Sequence, residues 1–211
     1  MSFHLYLPLA AGVAGYVLGS ISFAVLVARR HGVDILKAGS CNPGATNVKR
    51  VCGRGAGNLV FALDVFKGAV AAGWPALVPL FAGEVQGQVL YAQLAGFAGA
   101  VIGHCFSIFL RFKGGKGVAV SVGGLGGAMP LCLVVAGSLW LVVYFSTRYV
   151  SVGSVLGGLS LPVTAALLWG TADARFWLCL GIALTLVFTH RGNLLRLIRG
   201  EEHRFKSKKD S

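Results

Sequence analysis

Long stretches without a charged residue constrain this chain more than any other feature. Leu5 to Ala28 gives 24 consecutive uncharged residues and Gly117 to Thr147 gives 31. About 20 apolar residues in a helix cross the ~30 Å hydrocarbon layer of a bilayer. With 55% of 211 residues hydrophobic and 12% charged, a water-soluble domain could not cover its surface, which excludes an ordinary soluble enzyme. The net charge of +12 would alone suggest a nucleic-acid binder, but hydropathy overrules that: basic residues of membrane proteins collect in cytoplasmic loops, where they also hold anions. The five cysteines form no C-x-x-C pair, so neither a disulfide framework nor a thiolate zinc site follows.

The runs predict an all-α polytopic membrane protein, one integral membrane domain with spans near 5–28, 56–81, 86–110, 117–129, 131–147, 150–170 and 173–190, followed by a basic tail over 191–211. The 117–147 run is divided by a turn at Met129-Pro130. With that division there are seven transmembrane helices, the N-terminus is outside and the C-terminus cytoplasmic. Seventeen of the 19 basic residues then lie on the cytoplasmic side, leaving Arg175 outside and Lys67 at membrane depth. A single crossing by that run would put Arg148 and the tail outside. Arg29 and Arg30 follow the first span and no basic residue precedes it, which argues against a cleaved signal peptide.

This topology places four polar, Gly-rich segments on one membrane face: 39–47 (Gly-Ser-Cys-Asn-Pro-Gly-Ala-Thr-Asn), 112–117 (Phe-Lys-Gly-Gly-Lys-Gly), 151–154 (Ser-Val-Gly-Ser) and 190–193 (His-Arg-Gly-Asn). Glycine-rich turns let amides converge on an anion, and lysine adds charge, a combination suited to phosphate. Lys116 is followed by Gly, so 113–117 is no nucleotide-hydrolysing loop. Asp64 and Lys67, three apart on one helix, read as a self-paired couple, and Glu201 and Glu202 as solvated tail acids. His104 and His190 sit at inner span ends; Arg191 and Asn193 give His190 more weight as a site residue. Arg196, Arg199, Arg204, Lys206, Lys208 and Lys209 read as contacts to anionic headgroups. No His-x4-Asp pair, Gly-x-Ser-x-Gly elbow or metal-binding helix motif is present, and neither a metal nor an organic cofactor is indicated.

Gly19-Ser-Ile-Ser22, 39–48, Leu63-Asp-Val-Phe-Lys-Gly68, Gly103-His-Cys-Phe106, 112–119, 151–154, 190–193 and Arg199-Gly-Glu-Glu202 occur in one order over nearly the whole chain. The ordered set resembles the bacterial acyl-phosphate:glycerol-3-phosphate acyltransferases, the PlsY family. That resemblance implies a seven-helix inner-membrane enzyme, its active site facing the cytoplasm. It would move a fatty acyl group from acyl phosphate to the sn-1 hydroxyl of glycerol 3-phosphate, giving lysophosphatidic acid and phosphate, the first acylation of phospholipid synthesis. Its partners would be these two substrates and membrane lipids, with no nucleic acid. The family usually has Pro at Ser22, Gly at Cys41 and Glu at Gly192.

Acyl phosphate is a mixed anhydride, so neither a triad nor a covalent intermediate is required. The acyl-phosphate pocket is expected to use Ser40, Asn42, Gly44 and Thr46, a Gly114-Gly115 amide nest and Lys116, with Asn47, Lys113 and Ser151 also binding substrate. Glycerol 3-phosphate is expected at Arg50, Ser154, His190 and Asn193, Arg50 acting as a bidentate anion clamp. Catalytic roles fall on His190, Lys116, Ser154 and Arg50. The base is either His190 or a substrate phosphate oxygen, and the latter fits the absence of a suitably placed loop carboxylate. A carrier for an organic phosphate is the alternative, disfavoured because the spans offer an anion almost no polar route.

Overall fold

The computed structural model describes residues 3–82 and 86–205. Helices account for the regular structure, and no strand occurs among the described residues. The chain divides into two compact units, 1–129 and 130–211.

In the first unit, α1 (Phe3–Ser20) and α2 (Phe23–Arg30) lead to a loop and the short α3 (Ala45–Cys52). Then come α4 (Arg54–Gly73), a 3-10 turn, α5 (Pro79–Ala82), α6 (Gln86–Cys105), a second 3-10 turn (Ile108–Leu110) and α7 (Val118–Ala128). Glycine makes the packing possible. A Cβ on Gly15 or Gly99 would strike the backbone of the facing helix in the α1–α6 pair, and one on Gly68 or Gly123 would do the same between α4 and α7. Apolar attraction between helices is weak in lipid, so this close backbone approach supplies the packing.

The first span is not the continuous helix expected over 5–28. It breaks at Ile21-Ser22, and Ser22 Oγ restarts the helix as N-cap by accepting the Val25 N–H at 3.4 Å. A break at this depth strands carbonyls, each costing several kcal/mol if left unpaired in hydrocarbon. All three are satisfied. Lys67 Nζ donates to Gly19 O (3.1 Å) and Ile21 O (2.8 Å), and Ser107 Oγ donates to Ser20 O (2.6 Å). Asp64 Oδ1 lies 2.7 Å from Lys67 Nζ and balances its charge.

The second unit contains α8 (Pro130–Thr147), α9 (Val150–Trp169) and α10 (Ala174–Ile198). Asp173 caps α10 through the Arg175 N–H and pairs with the Arg175 guanidinium. α10 runs on to Ile198, eight residues beyond the span end expected at 190, because 190–198 keeps an apolar face (Leu194, Leu195, Leu197, Ile198).

Among the described residues, six helical stretches are long and apolar enough to cross a membrane: Tyr6–Arg30, Arg54–Leu77, Gly87–Leu110, Pro130–Thr147, Val150–Trp169 and Ala174–Ile198. α7 is shorter, at 11 residues. Large apolar side chains such as Leu9, Phe66, Val142, Leu167 and Trp177 point outward, as a lipid solvent allows.

Candidate active site

Each unit carries its own cluster of polar residues. In the first, Ile35 and Val48 belong to a buried cluster with α2 residues, and Leu110, just before the basic 111–117 turn, packs on it. Ala45 of the 39–47 loop packs on the same cluster.

The 39–47 loop is built around Asn47. Its Oδ1 accepts the Ser40 N–H at 2.9 Å, while Nδ2 donates to Ala38 O (3.0 Å) and Asn42 O (3.1 Å). The buried carboxamide has its hydrogens committed to its own loop. Asn47, expected among the substrate-binding residues, braces the turn from within. Around it Ser40 and Thr46 are exposed, Asn42 is half-buried and Gly44 is the N-cap of α3, its carbonyl accepting the Asn47 and Val48 N–H groups. Arg50 is exposed near the end of α3. Cys41, where the resembling family has glycine, takes the left-handed φ of 57° that glycine would adopt without strain.

The expected amide nest at Gly114 and Gly115 is not formed. Their N–H groups donate to Cys105 O (3.0 Å) and His104 O (2.9 Å), the last carbonyls of α6, so the glycines tie the turn to the helix end. Lys113 is exposed and Lys116 half-buried; Gly117, at φ 91°, turns the chain into α7. Cations rather than amides of 114 and 115 are what this turn offers a phosphate.

In the second unit the organising group is one that sequence reasoning set aside as a solvated tail acid. Glu202 Oε1 accepts from Ser151 Oγ (2.9 Å) and Asn193 Nδ2 (2.6 Å), and Oε2 accepts from Arg196 Nε (3.1 Å). Its side chain is 7% exposed. Burial pushes the carboxyl up, but the hydrogen bonds from Asn193, Ser151 and Arg196 outweigh it and hold Glu202 below the usual glutamate range. Gly200, at φ 72°, makes the reversal: its N–H donates to Leu197 O, and the Glu201 N–H donates to Arg196 O at 2.8 Å. Arg196, expected at the headgroups, pairs with Glu202 through Nε while its side chain stays 44% exposed. The chain continues back onto the α8–α9 turn, where the Phe205 N–H donates to Arg148 O. Lys206, Lys208 and Lys209 lie outside the described residues.

His190 is buried, and Nδ1 donates to Leu186 O at 2.8 Å. A carbonyl only accepts, so the neutral ring carries its lone pair on Nε2. Ser154 Oγ donates to Val150 O (2.8 Å) and accepts from Trp140 Nε1 (3.3 Å). Its proton is held by a main-chain carbonyl, an arrangement that orients the hydroxyl without activating it.

The sequence profile described as glycerol-3-phosphate acyltransferase matches residues 9–200. The chain belongs to the glycerol-3-phosphate acyltransferase family. Among curated members, that of Burkholderia pseudomallei (strain K96243) is 38% identical over 95% of this chain and 97% of its own. That of Rhizobium etli (strain CIAT 652) is 39% identical over 99% and 97%. The fold matches solved structures of PlsY, an integral membrane glycerol 3-phosphate acyltransferase. Its glycerol 3-phosphate form gives a TM-score of 0.82 at 32% identity over 94% of this chain and 96% of that one. Its lysophosphatidic acid form gives 0.78 at 34% identity, covering 94% and 95%. The chain is a member of this acyltransferase family, and its helices have the length and composition for membrane embedding.

Proposed function

We propose that this glycerol-3-phosphate acyltransferase takes its acyl group from acyl phosphate and releases inorganic phosphate along with lysophosphatidic acid. The observation that carries the reading is the 112–117 turn, which sets two cations, the exposed Lys113 and the half-buried Lys116, just beyond the end of α6, where they suit the phosphate of such a donor. A thioester is activated too, but only acyl phosphate carries an anionic phosphate on the acyl carbon itself, next to the bond that breaks.

Ser40, Asn42, Gly44 and Thr46 with Lys113 and Lys116 bind the acyl phosphate, while Ser151, His190 and Asn193 recognise glycerol 3-phosphate and Arg50 clamps an anion. The sn-1 hydroxyl oxygen attacks the acyl carbon. The carbon–oxygen bond to phosphate breaks, its electron pair leaves on phosphate, and the hydroxyl proton passes to a substrate phosphate oxygen. The protein contributes proximity and charge stabilisation. The polypeptide forms one domain of seven crossings in the bacterial inner membrane, with α7 and α8 crossing separately, the N-terminus outside, and the site and C-terminus in the cytoplasm; the positive-inside rule supports this arrangement.

Parallel assays with acyl phosphate, acyl-CoA and acyl-carrier protein test the donor. Lysophosphatidic acid formed from acyl phosphate alone is the expected result; product from either thioester overturns it.

A further inference from the structure

The steps above make no use of Asp64, Lys67 and His104, all buried. Lys67 and Asp64 close the α1–α2 break, and His104 Nδ1 faces the same Asp64 oxygen at 3.7 Å. That distance exceeds a hydrogen bond but places the ring in the carboxylate's field. The opposite edge of the ring meets the basic turn. A side-chain carbon on Gly115 would overlap Nε2 of His104, whereas one on Gly114 would strike the backbone carbonyls of His104 and Cys105. Gly115 also donates its N–H to His104 O. It is therefore held by both the backbone and the ring of one histidine, one residue before Lys116. Gly115 is not in the left-handed region, so the ring rather than the backbone conformation bars a side chain there.

We propose that His104 is a positioning residue for acyl transfer: its ring is the floor on which the 113–117 turn rests, and the Asp64–Lys67 pair keeps that floor in place. The proposal rests on the reading that this turn presents Lys116 to the donor. Removing the ring lets the turn sink, and adding a methyl to Gly115 lifts it. The two errors have opposite signs and compensate, whereas two independent structural defects add.

The test is steady-state kinetics on purified Gly115→Ala, His104→Ala and the double variant, with Gly114→Ala alone and combined with His104→Ala. Misplacement of a binding group by a fraction of an ångström predicts a rise of about tenfold in donor KM for Gly115→Ala and for His104→Ala. The Gly115→Ala/His104→Ala enzyme regains most of that loss; Gly114→Ala gains nothing from His104→Ala. A double variant no better than Gly115→Ala, or a His104→Ala that lowers only the thermal midpoint, overturns the proposal. Should Gly115→Ala not fold, His104→Phe serves in its place: keeping a ring, it retains more donor affinity than His104→Ala, and the reverse order overturns the proposal. The constants are read on whichever donor the wild-type enzyme accepts, so a wrong donor and a wrong role for His104 give different results.

Discussion

Asn193 donates a 2.6 Å hydrogen bond to Glu202, a carboxylate nine positions further along and beyond the end of α10. The bond orients the amide and, with Ser151 and Arg196, makes Glu202 the hub of the second unit's polar cluster.

Glu202→Gln keeps the shape but loses the charge facing Arg196, and its NH2 group competes with the donors around it. Glycerol 3-phosphate KM should rise by about tenfold, equal to about 1.4 kcal/mol, with a smaller change in kcat. Equal kinetic constants for Glu202→Gln and wild type would reduce the hub to a tie for the C-terminal segment.

Glu202 also sets an acid limit. Its carboxyl is held below the ordinary glutamate value when folded, so the unfolded chain binds the proton first as pH falls. The stabilisation is fully present above the unfolded pKa and is lost as pH drops through the lower folded value. Thermal midpoints recorded from neutral pH into the acid range should fall less steeply for Glu202→Gln than for wild type.

Asn47→Ala removes one acceptor and the donor that serves Ala38 and Asn42, leaving loop groups unpaired. A loss of about 1–3 kcal/mol is expected, together with weaker donor binding, measured by thermal unfolding and donor KM. Asn47→Asp, which faces those carbonyls with oxygen, should be worse.

Much of this architecture is legible from charge-free runs, because a bilayer imposes length and composition on each helix. The break at Ile21-Ser22 is not, since neither a proline nor a charge marks it and the lysine that closes it is 46 positions away. Ser40, Thr46 and Lys116 stand out as polar residues in Gly-rich loops, yet whether an amide points at a ligand or at a helix end depends on tertiary packing. Closely spaced glycines beside lysine suggest a nest at Gly114 and Gly115, whereas their amides tie the turn to α6. Glu202 was hidden by a reversal. The Gly200 that closes α10 was the available signal, because a left-handed cap turns the following residues back along the helix.

Lys67→Met strands the Gly19 and Ile21 carbonyls and leaves Asp64 without its counter-ion. The expected cost is about 3–5 kcal/mol. Lys67→Met combined with Asp64→Leu removes the orphaned charge and should be the milder variant by thermal unfolding in detergent. A double variant less stable than Lys67→Met would mean that Asp64 has a further essential partner.

His190→Ala separates the two routes for the hydroxyl proton. With a substrate phosphate as acceptor, the variant loses glycerol 3-phosphate affinity and keeps turnover at saturation. Lost turnover with unchanged affinity assigns the proton to His190.

The most direct measurement of direct transfer is rapid quenching of purified enzyme mixed with labelled acyl phosphate, first alone and then with glycerol 3-phosphate. Attack on the acyl carbon by the acceptor hydroxyl predicts no acyl label on the protein and no phosphate burst until glycerol 3-phosphate is added. A burst of phosphate equal to the enzyme, with label retained on the polypeptide before the acceptor arrives, would contradict it.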